Sequence, residues 1–394
     1  MKQIINHKLK KRFMKSKKLV ILTFILGCFI VPVHGQSKKD EKLRVNQERI
    51  ESRIFELAEF GKDDNGKGYR VAFTKGDIEG RTWFIAQMKK AGLEVTIDFA
   101  GNIIGKRNGK NASLKPIAFG SHIDMVPDGG NYDGCVGSIS ALEVIEVLNE
   151  NQYITEHPLE VKKGDLKAFL ELHIEQGGIL EQENIEIGIV EGIVGIVQYD
   201  VTVEGAANHA GTTPMKLRRD ALLAASKFII EVNDIALKTE GNHVATVGKI
   251  DAMPGAYNVI PGKVVLGLEI RDLSSEKIEM LFAEMEKQAA TIASETKTKI
   301  SFEKRDNFIK PALTNRTLQQ TIEKSAKAMG LSTKYMQSGA GHDSQEISLI
   351  APIGMIFVPS VGGISHSPKE FTKANDMANG ANVLLQTILA LDKE

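Results

Sequence analysis

The sequence predicts an α/β protein in which helices cover a largely parallel sheet and a smaller α+β unit interrupts the chain. Three observations predict it. Apolar runs of strand length alternate with helix-period patterns from about residue 45 to residue 174, and again from Pro311 onward, the alternation that builds a sheet with helices packed on it. Between Gly195 and about Lys304 the order becomes strand, helix, strand, strand, helix, strand, which is the ferredoxin-like βαββαβ unit. Glycine- and histidine-rich turns sit at the element boundaries, where open sheets of this class carry their sites. The boundaries that follow are residues 36–194 and 309–394 for a discontinuous α/β domain and residues 195–308 for the insert.

Taken in order, residues 36–44 are polar and expected to be disordered. A helix is expected from Val45 to Phe60, with Ile50, Ile54 and Leu57 on one face. A loop over Asp63–Gly68 precedes a second helix, Asp77–Lys90, which Gly92 stops. Strands are expected at Glu94–Asp98, Asn102–Lys106 and Pro116–Ser121, then a helix over Ser138–Leu148. Pro158–Val161 reads as a strand start. It runs through Lys162-Lys163-Gly164-Asp165 into a second strand, Leu166–Ile174, and so short a connection predicts a hairpin, since parallel neighbours need a crossover of about a dozen residues. The insert reads as strand Gln198–Glu204, helix Met215–Leu237, strands His243–Ile250 and Lys263–Arg271, helix Ser275–Ala293 and strand Lys299–Glu303. Helix Leu318–Met329, strands Thr333–Met336 and Pro352–Phe357 and helix Lys373–Leu391 complete the α/β part.

Charge balances at 50 basic against 50 acidic residues, but unevenly. Residues 1–35 hold eight Lys/Arg and no acid, so the remainder carries about −8. That surface excludes nucleic acid as a partner, because phosphate binding needs a basic face. Lys15, Lys17 and Lys18 precede an apolar run, Leu19–Val33, and Val33-His34-Gly35 follows the pattern of a cleaved export signal. Cleavage after Gly35 gives a periplasmic or secreted protein with no membrane contact; left uncleaved, the run is an anchor, though short for a span. Removal of the signal leaves Cys135 as the one cysteine and no intramolecular disulfide.

Five of the nine histidines lie in glycine- or hydroxyl-rich turns: His122, His173, His209, His342 and His366. His157, before a proline, and His243, opening a strand, read as structural. His122 and Asp124 are two apart, so on an extended backbone they share a face, and a carboxylate so placed orients a metal-bound imidazole. His173 and Glu175 repeat that spacing. Asp133, just before a helix, can coordinate one cation or bridge two. Three imidazoles with an aspartate suit zinc or another first-row divalent ion.

Over essentially all of residues 45–394 these segments, in order, resemble the metal-dependent amidohydrolases that include N-carbamoyl-L-amino-acid hydrolase, β-ureidopropionase and allantoate amidohydrolase. The resemblance implies a zinc-peptidase-like α/β/α catalytic domain with an inserted ferredoxin-like lid that makes a homodimer. It implies that His122, Asp133 and His173 hold one divalent ion, Zn2+ first with Mn2+ or Co2+ as alternatives, that Asp133 bridges to a second held partly by His366, and that Asp124 orients His122. It implies that His209 polarises the scissile carbonyl, within its own protomer or across the dimer; on the residues alone His209 could belong to a helix cap at Thr213-Pro214. Asn258 and Arg271 match a substrate-carboxylate clamp, a role for which the planar arginine fork is suited, although Arg271 alone reads equally as a surface salt bridge. Gln176 and His342 match further contacts to a small ureido or amide carboxylate. A metallo-exopeptidase of the same fold, and a secreted protein that binds ureido acids without turning them over, are the alternatives.

In that family the strand beginning Pro-Leu-Glu-Val runs into a Glu-Glu-Gly turn that supplies the general base and a ligand of the second metal. Here Lys162 and Lys163 follow Val161 directly. Glu160, Glu171 and Glu175 belong to the flanking segments, so the resemblance implies an internally deleted chain of strongly impaired activity.

Overall fold

The computed structural model describes residues 43–63, 68–160 and 166–394. The expected export signal, most of the Asp63–Gly68 loop and the Val161–Lys162 junction lie outside the described residues. Among the described residues no helix is long and apolar enough to cross a membrane.

The Asn46 side chain accepts the N–H of Arg49 and caps α1 (Gln47–Ala58); Thr74 caps α2 (Lys75–Lys90) in the same way. An antiparallel pair, β1 (Glu94–Ile97) and β2 (Ile103–Lys106), precedes β3 (Ile117–Phe119). Next come α3 (Cys135–Glu150), β4 (Ala168–Ile174), the short α4 (Ile179–Glu183) and β5 (Ile187–Ile193). Helix α3 starts three residues ahead of expectation, and β5 was not foreseen.

The insert contains β6 (Gly195–Glu204), β7 (Asn208–His209), α5 (Ala221–Lys238), β8 (Val244–Met253), β9 (Val259–Ile260), β10 (Lys263–Asp272), α6 (Ser275–Thr296) and β11 (Lys299–Lys304). Its four long strands are antiparallel in the order β11-β6-β10-β8. Helices α5 and α6 bury Phe228, Leu281 and Met285 against Val201, Leu266 and Ile270 of that sheet. The expected single helix from Met215 to Leu237 is broken. A 3-10 turn, Met215–Leu217, is separated from α5 because the Asp220 carboxylate takes the N–H groups of Leu222 and Leu223 and starts a new helix.

The chain then returns through β12 (Ala312–Leu313), α7 (Arg316–Lys327), β13 (Thr333–Ser338), α8 (Asp343–Ile347), β14 (Ile353–Val358) and α9 (Ala374–Leu391). The main sheet runs β12-β5-β14-β4-β3, with β13 pairing β5 in parallel. Strands β3, β4 and β14 are mutually parallel, so their carboxyl ends open on one edge. Helix α3 is buried on nearly every side, between the sheet and α1 and α9. The fold is thus a helix-covered α/β sheet interrupted by a smaller ferredoxin-like insert.

The expected hairpin does not form. Leu159 exchanges both backbone hydrogen bonds with Arg107 at 2.9 Å, and the Pro158 carbonyl accepts the Ile117 N–H at 3.0 Å. Leu159 therefore runs parallel to β3 on its outer edge, while β4 pairs with the inner edge. A short connection does not force a hairpin when a third strand lies between its ends. Beside that outer edge a cavity of about 110 Å³, lined by Phe84, Met88, Phe119, Leu142, Ile145 and Leu159, remains unfilled.

Arg70 ties the first helices to the site. It is fully buried, and its guanidinium donates to the carbonyls of Ile123 (2.7 Å), Leu57 (2.9 Å) and Phe60 (3.0 Å). Arg70→Leu strands those three acceptors, so unfolding in urea is expected to show a loss of about 3 kcal/mol; a change below about 1 kcal/mol would contradict the assignment.

Candidate metal centre

Buried β3 leads through Gly120 into an irregular segment that carries His122 and Asp124 and turns back at Asp128-Gly129. It ends at Gly134, which has φ +65° and where a Cβ would lie 2.3 Å from the His122 ring. Only glycine lets that imidazole close over the start of α3. From the end of β4 comes His173, and the loop after β14 supplies His366.

The three imidazoles converge on Asp133. Its Oδ1 is 3.1 Å from His173 Nε2 and 3.9 Å from His122 Nε2, and its Oδ2 is 3.2 Å from His366 Nε2. The His122 Nδ1 faces the Asp124 carboxylate at 3.3 Å, and His173 Nδ1 donates to the Ile174 carbonyl at 2.8 Å. Each of those Nδ1 atoms thus carries a proton, and both Nε2 atoms face the aspartate, that of His173 also accepting the Gly134 N–H at 3.1 Å. Burial opposes charge on His122, but Asp124, Asp343 and Asp133 outweigh it and hold its pKa up, at about 9. Burial likewise opposes charge on Asp133, and the hydrogen bond and charge of His173, with His122 and His366, bring it down to about 2. Asp124 is lowered by its bond to His122. The cluster gathers one buried carboxylate and three imidazoles, His366 from the exposed side, which is the donor chemistry of a divalent-cation site.

Asp124 lies where an orienting carboxylate belongs, but Glu175 does not. Its oxygens accept the N–H groups of Ile179 and Leu180 at 2.8 and 2.9 Å, capping α4 instead of His173. Gln176 joins the cluster itself: Nε2 is 3.0 Å from Asp133 Oδ1 and 3.3 Å from His366 Nε2, and Oε1 is buried without a partner. His342 packs edge-on against His173, ring centroids 4.4 Å apart, with Nε2 on Ser338 Oγ at 2.7 Å. Burial, then the charge of His173, pushes its pKa well below the ordinary value, so the ring is neutral.

Two acids that the sequence reading did not assign hold this arrangement together. Glu370 accepts the N–H groups of Tyr132 and Asp133 with one oxygen, and Ser365 Oγ and the His366 N–H with the other. It lies in the His366-Ser367-Pro368-Lys369-Glu370 motif, which was its one available signal. Glu171, fully buried beneath His173, accepts Ser121 Oγ and the Ser344 N–H, both at 2.8 Å; burial and then Asp343 raise its pKa. Among the described residues two groupings of donors lie close enough to hold an ion: His122, Asp133 and His173, or Glu171, His173 and His342. The first fits better, because both oxygens of Glu171 are turned to Ser121 and Ser344.

The insert residues are not drawn into the cluster. His209 pairs with Val259 across the β7/β9 ribbon, and its Nδ1 accepts the N–H groups of Gly211 (3.0 Å) and Thr212 (3.2 Å). Nε2 therefore bears the proton and points outward as a donor. Thr213 bonds back to the His209 carbonyl and caps no helix. The Asn258 carbonyl accepts the Ala210 N–H, beside the fully exposed Tyr257. Arg271 Nε donates to Glu269 at 2.6 Å and Nη1 to the Gly339 carbonyl at 2.7 Å, so its fork is already engaged. His157 and His243 are buried and bonded to the carbonyls of Lys115 and Ala236, as structural histidines.

A carboxylate and three imidazoles at the open edge of such a sheet define a metallohydrolase-type centre. Residues 152–390 match the profile of the peptidase family M20/M25/M40. The chain is 34% identical to an N-carbamoyl-L-amino acid amidohydrolase of Geobacillus stearothermophilus, over 88% of this chain and 99% of the relative. It is 31% identical to the allantoate amidohydrolase of Escherichia coli K12, over 86% and 96%. The crystal structure of a hydantoinase/carbamoylase-family amidase from Burkholderia multivorans superposes with a TM-score of 0.86 at 32% identity, covering 89% of this chain and 99% of that one. The chain belongs to the M20/M25/M40 family, within its metal-dependent amidohydrolases of non-peptide C–N bonds. The Geobacillus pairing runs over 406 positions while taking in 88% of a 394-residue chain, so about sixty positions of that relative have no counterpart here.

Proposed function

We propose that this chain binds small carboxylates bearing a carbamoyl or related amide group, and that hydrolysis of their C–N bond, the parent reaction, is strongly impaired. The convergence of His122, His173 and His366 on Asp133 supports the first half. The positions without counterpart support the second, if they fall after Val161. The bridges of Leu159 to Arg107 and to Ile117 of β3, and the cavity beside them, agree with a segment lost there.

A divalent cation, when bound, supplies Lewis-acid polarisation of the scissile carbonyl. The protein's part is orientation. Asp124 fixes the His122 tautomer, and Glu370 fixes the loop that carries His366. The outward Nε2–H of His209 is the donor for the developing oxyanion. Arg271 and Asn258 receive the substrate carboxylate, which must displace Glu269 from the arginine fork. What the proposal takes to be lost is a base within hydrogen-bond reach of the attacking water. Calorimetry with an N-carbamoyl amino acid, beside an ammonia-release assay, tests the reading: binding without appreciable release supports it, and absence of binding overturns it.

We further propose a homodimer through the insert. Leu223, Ile230 and Leu237 form an exposed stripe at seven-residue spacing along α5, and β8 is the last strand of its sheet. Sedimentation is expected to give a dimer that Ile230→Glu converts to monomer; a monomeric parent chain would sink this assignment.

A further inference from the structure

We infer that the side-chain amide of Gln176 is the third protein donor of a second divalent-cation position, beside Asp133 Oδ2 and His366 Nε2. The inference rests on the metal-centre reading above and assigns Gln176 a role different from the substrate contact that the family resemblance implies.

Spacing is the first argument. Adjacent ligands about 2.1 Å from an octahedral ion lie about 3 Å from one another. His366 Nε2 is 3.2 Å from Asp133 Oδ2, and the Gln176 amide terminus is 3.3 Å from His366 Nε2 and 3.0 Å from Asp133 Oδ1. Satisfaction is the second. The amide nitrogen has three neighbours, Asp133, Ser365 Oγ and His366, while Oε1 is buried with none. Turning the amide by half a rotation about its last bond exchanges the two atoms and presents the oxygen, the atom able to ligate, to the aspartate and histidine.

Backbone conformation is the third. Gln176 and His366 both adopt the left-handed region, φ +58° and +53°, unusual for side chains of this size. Each is held there by a dedicated hydrogen bond, the Gln176 N–H to Ser360 Oγ at 3.1 Å and the His366 N–H to Glu370 at 3.2 Å. Strain sustained on both sides of one small space marks a built arrangement. Among the described residues no carboxylate other than Asp133 bonds to either Nε2 at this place; Glu370 spends its oxygens on backbone and Ser365 behind it. An amide oxygen is a hard neutral donor, so this position should accept Mn2+ once zinc fills the His122/Asp133/His173 position, and hold it more weakly than that position holds zinc.

The test is Mn2+ binding by the full metal-free chain after one equivalent of Zn2+, with free Mn2+ read by electron paramagnetic resonance. The parent chain is expected to take up one further equivalent. Gln176→Ala should weaken that equivalent about tenfold or more, and Gln176→Glu, which adds a charged donor, should tighten it by a similar factor. Retention of the zinc equivalent in both variants reports that they are folded. Mn2+ uptake unchanged in Gln176→Ala would overturn the inference, as would a zinc-loaded parent that takes up no Mn2+. Failure to bind even the first zinc would instead overturn the metal-centre reading.

Discussion

Ammonia release from an N-carbamoyl amino acid by the purified chain is expected to run about 10³-fold or more below that of the Geobacillus relative assayed alongside it. The size follows from the proposed loss of the base: positioned proton transfer contributes about 10²–10⁴-fold to such reactions. Among the described residues three nearby glutamates are already engaged. Glu175 is committed to capping α4, Glu370 to the loops around Asp133 and His366, and Glu171 to Ser121 and Ser344 beneath the histidines. The same argument predicts recovery. Inserting the relative's unmatched segment between Val161 and Lys162 should fill the cavity beside β3, continue the strand begun at Leu159, and raise turnover by at least about a hundredfold. Turnover of the unaltered chain within tenfold of the relative would show that the base lies elsewhere.

Asp133→Asn is expected to abolish stoichiometric metal binding while leaving the fold intact. Asp133 is the one residue that meets all three imidazoles and the Gln176 amide. The substitution keeps its shape and removes the charge that His173, His122 and His366 stabilise. Its side chain lies buried at the centre of the cluster, outside the apolar cores. Elemental analysis after dialysis, with near-ultraviolet circular dichroism as the folding control, should read less than about a tenth of the parent's metal. An Asn variant that keeps its metal would exclude Asp133 as a ligand.

How much of this was legible depends on the range of each contact. The His122–Asp124 pairing could be read because it is local: two residues apart on a nearly extended segment, the side chains must meet. Glu175 invites the same inference and fails, because a helix of five residues starts just beyond it and offers two N–H groups in need of an acceptor. Glu370 escaped notice because its partners Tyr132 and Asp133 are more than two hundred residues away, and no local pattern encodes such a contact. Strand β5 was hidden by Gly188 and Gly192, which break its apolar alternation. The hairpin expected at residues 158–174 failed for a topological reason. Connection length limits which strands can be neighbours, but it cannot reveal that β3 already occupies the place between them.

The central claim is that His122, Asp133 and His173 together hold a divalent ion, and crystals of the full chain grown with zinc test it most directly. An anomalous difference peak within bonding distance of His122 Nε2, Asp133 and His173 Nε2 is the predicted result. A map with no peak there, or with its peak among Glu171, His173 and His342 instead, would contradict it.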